Sequence, residues 1–331
     1  MVQKGDILYA LYGATSGEIG ISKIRGAINQ AILAIKPNEA HDTQFIAQWL
    51  RLNKLNIIEK YLQGGQGNLS AAIVKDLYID FPNKTEQTAI GNFFCTLDNA
   101  IALLKRKLVV LKKLKKTYLQ QMFPQEGERV PKIRFAGFTG DWEVRKLGDV
   151  AESIEYGLNA TAIDFDGINK YIRITDIDDD NREFKIETLK SPDYDLHSAD
   201  NYKLQYGDIL FARTGASVGK TYRYKQTDGL VYYAGFLIRV RVKREFDIDF
   251  IFQNTLTNNY NNFIKKTSQR SGQPGVNAQE YSIYEITTPK LLEQQKLGSF
   301  FKILDEQIYS QQQKIEKLKT VKTVYLQKMF I

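Results

Sequence analysis

The sequence contains very little cysteine and histidine, and it has no long apolar run. Among 331 residues there are 1 cysteine, Cys95, and 2 histidines, His41 and His197. One cysteine excludes an internal disulfide framework and is typical of a reducing compartment, and these residues are too few for a structural zinc site of the usual Cys/His kind. No apolar stretch approaches the ~20 residues that span a bilayer, and the N-terminus has no signal-peptide features. We therefore expect a cytoplasmic protein without a membrane anchor.

The composition is that of a globular protein with a surplus of positive charge. Hydrophobic residues make up 43% of the chain and charged residues 25%, and its length is typical of about two domains. The formal net charge is +8, with a pI near 9.2. This surplus favours a polyanionic partner through phosphate neutralisation, although charge alone is equally compatible with a basic protein that binds no polyanion.

The chain contains an internal repeat. Residues Glu86–Phe123 align without a gap with residues Glu293–Phe330. The identities are Glu86/Glu293, Gln87/Gln294, Gly91/Gly298, Phe93/Phe300, Phe94/Phe301, Leu97/Leu304, Asp98/Asp305, Tyr118/Tyr325, Leu119/Leu326, Gln120/Gln327, Met122/Met329 and Phe123/Phe330.

Weaker matches precede each of these segments in the same order. They pair Gly5–Ala10 with Gly207–Ala212, Gly13-Ala14 with Gly215-Ala216, Gly65-Gln66 with Gly272-Gln273, and Phe81-Pro82 with Thr288-Pro289. Several ordered blocks at nearly one spacing indicate a duplication. The second copy carries about seventy residues, from about Lys132 onward, that have no counterpart before Gly5, so the first copy is expected to be N-terminally truncated.

Each repeated segment is predicted to be a long helix. Thr85 is a candidate N-cap with Glu86 in the first turn, and Pro124 ends the first segment. Apolar residues follow heptad spacing, with Lys115, Gln311 and Lys322 as polar interruptions. The predicted pairing residues are Leu97, Ile101, Leu104, Leu108, Leu111 and Tyr118 in the first segment, and Leu304, Ile308, Ile315, Leu318, Tyr325 and Met329 in the second.

The two predicted helices are expected to pack on each other. About 38 helical residues make a rod of roughly 57 Å, and neither rod buries its apolar seam alone. The intervening globular segment favours an antiparallel pair, which would hold two recognition units at a fixed distance, and this distance would become a fixed spacer between two half-sites on a duplex. Lysines and arginines crowd the first helix; a solvated face is favoured over contact with phosphates or an acidic partner. They are Lys105, Arg106, Lys107, Lys112, Lys113, Lys115 and Lys116.

The segment from Ile133 to Pro289 is predicted to be mixed α/β with short strands. Trp142–Leu147, Tyr171–Ile177 and Leu230–Val242 have strand patterns, Asp249–Lys266 is predicted to be helical, and Ser268–Val276 to be a polar loop. Three parts of this segment are candidates for DNA contact: the end of the strand at Tyr171, the loop after Phe211, and the basic residues around Ser268. Arginine and glutamine side chains can read bases, while lysines and hydroxyls hold phosphates. The candidate residues are Tyr171, Arg173, Thr175, Asp176, Arg213, Thr214, Ser217, Lys220, Lys265, Lys266, Arg270 and Gln273.

Catalytic motifs are incomplete. Gly215–Thr221 is one residue short of a phosphate-binding loop, and the first copy has Glu18 where Lys220 stands, which argues against nucleotide hydrolysis. Pro192-Asp193 has no following acid–lysine pair for metal-dependent cleavage, and no adenine-methylating motif is present. Neither histidine has a convincing nucleophile or acid partner. We therefore expect no catalytic residues and no metal site.

Taken together, these features resemble the specificity (S) subunit of type I restriction–modification systems. The resemblance rests on the repeated Gly5–Ala10 and Gly207–Ala212 blocks, the glycine–glutamine loops, the repeated helices, and the run Asp141-Trp142-Glu143 with Lys146–Asp149. It covers nearly the whole chain.

The resemblance implies an α+β fold with two α/β target-recognition domains, the first one partial, separated by two long antiparallel coiled-coil helices. The expected division is 1–84 for the partial first recognition domain, 85–131 for the first long helix and linker, 132–289 for the second recognition domain and 290–331 for the second long helix. Such a subunit binds double-stranded DNA at a split site and docks two methyltransferase (M) subunits, through which restriction (R) subunits join. It binds no cofactor itself, because S-adenosylmethionine, ATP and Mg²⁺ belong to the partner subunits.

Two other interpretations of the sequence remain open. The chain could be a helical protein–protein adaptor, or a half-length or silent specificity protein that does not read DNA independently and acts, if at all, as a homodimer. A stand-alone enzyme acting on nucleic acid is disfavoured by the missing motifs. We also expect that 1–84 does not read its half-site independently, and equal discrimination at both halves of the site would refute this.

Overall fold

The computed structural model describes residues 1–61 and 68–330. Two compact units make up the chain: Met1–Leu108 with Gln311–Ile331, and Val109–Ser310. We call them the first and second unit. The predicted counterpart pair Gly65-Gln66 lies outside the described residues. None of the described helices has an apolar stretch long enough to cross a membrane.

The helices and strands alternate irregularly along the chain. The helices are α1 (Thr43–Leu52), α2 (Lys54–Tyr61), α3 (Ala71–Lys75), α4 (Lys84–Gln121), α5 (Leu147–Val150), α6 (Ile248–Asn254), α7 (Asn258–Thr267), α8 (Ala278–Ser282) and α9 (Leu291–Met329). The strands are β1 (Ile7–Ala10), β2 (Ile19–Ile21), β3 (Ile32–Ile35), β4 (Glu143–Lys146), β5 (Ala151–Tyr156), β6 (Thr161–Asp164), β7 (Lys170–Ile172), β8 (Lys190–Asp193), β9 (Asp208–Ala212), β10 (Thr221–Arg223), β11 (Val231–Tyr233), β12 (Leu237–Val242) and β13 (Glu285–Thr288).

The first unit is built on a three-stranded antiparallel sheet with the order β2-β1-β3. Ile7 and Tyr9 alternate on the buried face of its central strand, as the period of two in a half-buried strand requires. Helix α1 covers this face with Ile46, Ala47 and Leu50, all of them buried.

The second unit is built on a four-stranded antiparallel sheet with the order β10-β9-β12-β5. Strand β9 is buried along its whole length, since its faces carry two different core clusters. Two-stranded pairs surround this sheet: β7 with β11 in parallel, and β4 with β13 and β6 with β8 in antiparallel. Helices α6, α7 and α8 pack on one face with Phe250, Tyr260 and Tyr281, which are fully buried.

The repeat seen in the sequence is a repeat of structure. Strands β1, β2 and β3 correspond in order and pairing to β9, β10 and β12, and α1 and α4 correspond to α6 and α9. Both copies enter the central strand through a glycine with left-handed φ, Gly5 at +99° and Gly207 at +101°, a conformation that favours glycine. Strand β5, which pairs with β12, has no counterpart among residues 1–61 and 68–84. The domain division expected from the sequence stays a prediction.

The start of each long helix is hydrogen-bonded in the same way to the N-cap residue of the short helix in its own unit. Asp42 caps α1 by accepting from Phe45 N at 2.9 Å, and Gln87 accepts from Asp42 N at 2.9 Å. In the second unit Asp247 caps α6, accepting from Phe250 N at 2.8 Å, and Gln294 accepts from Asp247 N at 3.1 Å. The identities Gln87/Gln294 therefore reflect one repeated hydrogen-bond pattern.

Within each unit, one end of α4 packs antiparallel to one end of α9. In the first unit the residue numbers of contacting pairs rise along α4 and fall along α9: Phe93 with Tyr325 (ring centroids 5.3 Å apart), Asp98 with Lys322 (2.6 Å) and Leu104 O with Gln311 (3.1 Å). The second unit has Lys115 with Asp305 (2.5 Å) and Tyr118 with Phe300 (5.2 Å). The predicted pairing residues are buried or partly buried except Tyr325 and Met329, which are 41% and 37% exposed.

Some sequence predictions of local structure were wrong. The first long helix begins at Lys84, and Asn83 rather than Thr85 caps it by accepting from Glu86 N at 3.0 Å. Predicted strand Tyr171–Ile177 is a strand only to Ile172; a short 3-10 helix, Ile174–Asp176, follows. Predicted strand Leu230–Val242 is divided into β11 and β12, and predicted helix Asp249–Lys266 into α6 and α7.

Candidate nucleic-acid interface

The predicted contact residues fall into three groups in the second unit: buried residues, cations that are already paired, and side chains that remain available. Tyr171 is 2% exposed, and its hydroxyl donates to Leu158 O at 2.7 Å. Asp176 and Ser217 are buried as well. The fold encloses these three side chains.

Arg173 is held by a carboxylate of its own chain. Its Nε and one terminal nitrogen donate to the two oxygens of Asp176, each at 2.8 Å, and its backbone N donates to Asp176 at 2.9 Å. The hydrogen bond to Asp176 raises the pKa of Arg173. This bidentate pair holds the turn that follows β7, so the strand ends at Ile172 and does not extend to Ile177. The Arg173 guanidinium therefore already has a structural partner. Thr175 beside it is exposed.

The other predicted cations differ in their partners. Lys220 lies 2.5 Å from Asp179, Lys266 lies 2.9 Å from Glu126, and Arg270 lies 2.5 Å from Glu280. Lys266 is 71% exposed, so water screens its pair strongly. Lys265 is exposed on α7.

Segment Gly215–Thr221 does not have the geometry of a phosphate-binding loop. Gly215–Ser217 forms one 3-10 turn and leads into strand β10, whereas a phosphate loop leads into a helix. Its backbone N–H groups are also occupied: Gly215 N donates to Pro274 O and Lys220 N donates to Ser217 O, both at 2.9 Å.

Arg213 is placed at the end of β9 by backbone contacts on both sides. Its N donates to Phe236 O at 3.1 Å and its O accepts from Val276 N at 2.9 Å. The guanidinium lies over the ring of Tyr156, 5.0 Å from its centroid, and 5.8 Å from the centroid of Phe236. Among the described residues, Arg213 Nε is buried and has no hydrogen-bond partner.

Other polar side chains lie close to Arg213. Thr214 forms a bridge to Gly275 in the loop after α7. Gln273 of the same loop lies over Gly215, where an added Cβ would be 2.7 Å from Gln273 Nε2. The loops after β9 and α7 therefore present an arginine, a hydroxyl and an amide together, which are the side-chain types that read base edges and hold phosphates.

A cavity of about 680 Å³ opens beside this cluster and lies wholly within the second unit. Tyr156, Phe236, Arg213, Arg173 and Thr175 are among the residues that line it. It brings the first two predicted contact segments to one place, whereas Lys265, Lys266 and Arg270 are not among its lining residues.

The sequence prediction missed Tyr156 and Phe236, which are 45% and 57% exposed. The available signal was an aromatic residue next to glycine at a strand end, in Tyr156-Gly157 and Gly235-Phe236. Gly157 is needed there because an added Cβ would meet Tyr233 O at 2.6 Å. The tyrosines of the strands nearby are mostly packing: Tyr222, Tyr232 and Tyr233 are buried.

No group of three or more His, Cys, Asp or Glu side chains placed to hold a metal occurs among residues 1–61 and 68–330. Cys95 is a free thiol on α4. The expectations that the chain binds no metal and no cofactor stay predictions.

The chain has two related units, and α4 and α9 each contribute residues to both of them. The second unit carries Arg213 and Gln273 in neighbouring loops. These features are typical of a duplicated recognition protein. The family model for the type I restriction modification DNA specificity domain matches residues 1–113 and 139–320. The chain belongs to this family, and it is accordingly a specificity subunit of a type I restriction–modification system.

Solved structures show the same fold at low sequence identity. The S subunit of a type I system from M. genitalium is 16% identical, with a TM-score of 0.72 over 100% of this chain and 84% of that chain. A chain solved in work on complex assembly and conformational transition of the type I R–M system is also 16% identical, with a TM-score of 0.52 over 99% of this chain and 82% of that chain. These likenesses support the α+β fold with two recognition units and long helices.

Proposed function

We propose that this chain directs a type I modification complex to a bipartite DNA site and performs no chemistry itself. The observation that carries the proposal is the duplication. The two units have the same hydrogen bond between a long-helix glutamine and the N-cap of a short helix, and both contain parts of α4 and α9. Each unit would face one half of the site. The net charge of +8 supports a polyanionic partner.

The two halves of the site would be read unequally. The second unit has the β5 strand, the flanking aromatic residues and the Arg213 cluster, whereas residues 1–61 and 68–84 contain counterparts of β9, β10 and β12 alone among the strands of the large sheet. At the position of Arg213 the first unit has Leu11, which is 5% exposed. We therefore expect sequence discrimination to be concentrated in the half that the second unit reads.

The helices would dock the modification subunits. On α4, within the second unit, Val109, Val110 and Leu114 are 66%, 63% and 38% exposed. At the positions that correspond to Val109 and Val110, α9 has the exposed charged residues Glu316 and Lys317. Exposed valines on a helix that is otherwise rich in lysine are a candidate protein contact. Two modification subunits would bind, restriction subunits would join through them, and these partners would supply S-adenosylmethionine, ATP and Mg²⁺ chemistry.

The test is co-expression of this chain with a modification subunit of its own system, followed by mapping of methylated adenines in the host DNA. We expect methylation at one split motif, and only when both proteins are present. Methylation at the same positions without this chain would contradict the proposal. Affinity for DNA that hardly changes with salt concentration would instead favour a protein–protein adaptor, since phosphate contacts make binding steeply salt-dependent.

The docking surface has its own test. Val110→Lys should weaken binding of the modification subunit by about tenfold or more, the size expected for a buried contact in an interface. The matched control is Val130→Lys in the segment after α4, where Val130 is 47% exposed, and this variant should leave binding unchanged. Equal effects of the two variants, measured by titration calorimetry, would contradict a docking role for this part of α4.

A further inference from the structure

We propose that Arg213, clamped between Tyr156 and Phe236, reads a guanine in the half-site of the second unit. The inference rests on the proposed function and names the side chain that gives it base specificity. We call Arg213, Tyr156 and Phe236 the arginine clamp.

The arginine clamp is a rigid site. Strand β9 and two backbone hydrogen bonds fix the Arg213 main chain, one to Phe236 O and one from Val276 N. Tyr156 is held at its far end, where its hydroxyl oxygen accepts from Ala278 N at 3.1 Å. The two rings therefore restrict the plane of the guanidinium before any ligand arrives, and such a restriction lowers the entropic cost of binding.

Among the described residues no carboxylate forms an ion pair with Arg213. By contrast, five other arginines of the second unit each pair with aspartate or glutamate: Arg173, Arg223, Arg239, Arg241 and Arg270. An arginine that only stabilised the fold would be expected to have such a partner. Arg213 Nε, like Arg239 Nε, is buried without an acceptor. A buried donor without an acceptor costs free energy, so no hydrogen bond within the fold accounts for the placement of the Arg213 side chain.

Guanine fits this donor better than the other bases do. In the major groove it presents O6 and N7, two acceptors on one edge, which match the planar fork of arginine. Aromatic rings stack well on a guanidinium and leave its in-plane N–H groups free. Gln273 lies over Gly215, which follows Arg213 by two residues.

The first unit provides an internal comparison. Its counterpart of Arg213 is Leu11, which lies in the apolar core of that unit. The same backbone position therefore carries a core residue in one copy and an unpaired cation in the other. The substitution Arg213→Leu would place at this position of the second unit the same residue type that the first unit has there, Leu11.

The test uses the full chain in complex with its modification subunit and a library of duplexes randomised over the site. We expect the wild-type complex to select guanine at one base pair in the half read by the second unit. Arg213→Lys keeps the charge but lacks the fork, and Arg213→Leu removes both. Both variants should lose the guanine preference at that one position by about tenfold or more, while the other selected positions stay as they are.

A second measurement separates base contact from a purely structural role. Replacing the selected guanine by 7-deazaguanine, which lacks the N7 acceptor, should weaken binding of the wild-type complex but not further weaken binding of Arg213→Lys. The control variant is Arg145→Lys, an arginine of β4 that pairs with Glu143, which should leave the guanine preference unchanged.

The outcomes distinguish the two proposals. If Arg213→Lys retains the guanine preference, Arg213 does not read guanine and the inference is wrong. If this variant loses affinity uniformly for all duplexes, Arg213 is a phosphate contact and the inference is also wrong. If the wild-type complex itself selects no sequence, the proposed function fails. Thermal unfolding of each variant, compared with the wild type, shows whether a loss of binding comes from a loss of folding.

Discussion

At the scale of single residues, several identities between the copies have a physical reason that the sequence alone did not show. Gly91 and Gly298 lie where each long helix crosses the start of a short one. A Cβ at Gly91 would be 2.9 Å from Gln44 Cβ and 3.0 Å from Phe45 N, and a Cβ at Gly298 would be 2.9 Å from Asp249 Cβ and 3.0 Å from Phe250 N. The sequence could predict that these glycines matter but not what they contact, because the contact joins distant segments.

Gly298→Ala tests this crossing. The added methyl group has no space between α9 and α6, so we expect a loss of about 1–3 kcal/mol in the free energy of unfolding. Gly272→Ala is the control, since a Cβ there meets nothing within 4 Å. Chemical denaturation of both variants gives the comparison, and a Gly298→Ala protein as stable as the control would refute close contact at this position.

Because several tyrosines are buried, we expect the folded protein to lose stability at alkaline pH. Burial raises the pKa of Tyr260, Tyr281 and Tyr284 above the usual value near 10. Their neutral forms are favoured in the folded state, so this contribution is complete below pH ~10 and is lost as the pH rises further. We expect the melting temperature to fall steeply above pH ~10, and Tyr284→Phe to reduce the slope. A melting temperature independent of pH between ~9 and ~11.5 would contradict this expectation.

At the scale of elements, the long helices were predictable and the short turns were not. The repeated segments with heptad spacing extend over many turns, and they predicted both helices to within two residues of their observed ends. The turn after Ile172 depends on one local contact, in which the carboxylate of Asp176 accepts from the backbone N and the side chain of Arg173, three residues earlier. An alternating pattern cannot show such a hydrogen bond, and the strand prediction therefore ran too far.

The polar interruptions of the seam are paired across the helices. Lys115 and Lys322 occupy equivalent positions in the repeat, and they contact Asp305 and Asp98, which are equivalent as well. Each aspartate also accepts from a glutamine of the adjacent short helix: Asp98 from Gln48 at 2.9 Å, and Asp305 from Gln253 at 2.8 Å. The two lysine interruptions of the seam are therefore one ion pair that is repeated in both units.

A double-mutant cycle measures this pair. With Lys115→Ala, Asp305→Ala and the double variant, we expect a coupling energy of about 1 kcal/mol, because the side chains are only 15% and 26% exposed. Asp305→Ala alone should cost more than Lys115→Ala, since buried Gln253 also loses its acceptor. The control cycle on Lys319 and Glu316, an exposed pair within α9, should give a value near zero. Equal coupling energies in the two cycles would show that the Lys115–Asp305 pair contributes no more to stability than an exposed ion pair does.

At the scale of the whole chain, the duplication was the most informative feature of the sequence. It predicted two related units and two long helices, and the structure and the family match confirm both. The sequence predicted Arg213 as a candidate contact but not its aromatic neighbours, because Tyr156, Arg213 and Phe236 come together only when β12 pairs with β9 on one side and with β5 on the other. The likeness of the two copies also concealed their main difference, Leu11 against Arg213.

The most direct test of the account is the map of methylated adenines in cells that carry this chain and its modification subunit, compared between wild type and Arg213→Lys. We predict a split motif for the wild type, with most of its sequence information in one half, and loss of one guanine position in that half for Arg213→Lys. A motif whose two halves are equally specified, and which Arg213→Lys leaves intact, would contradict unequal reading by the two units.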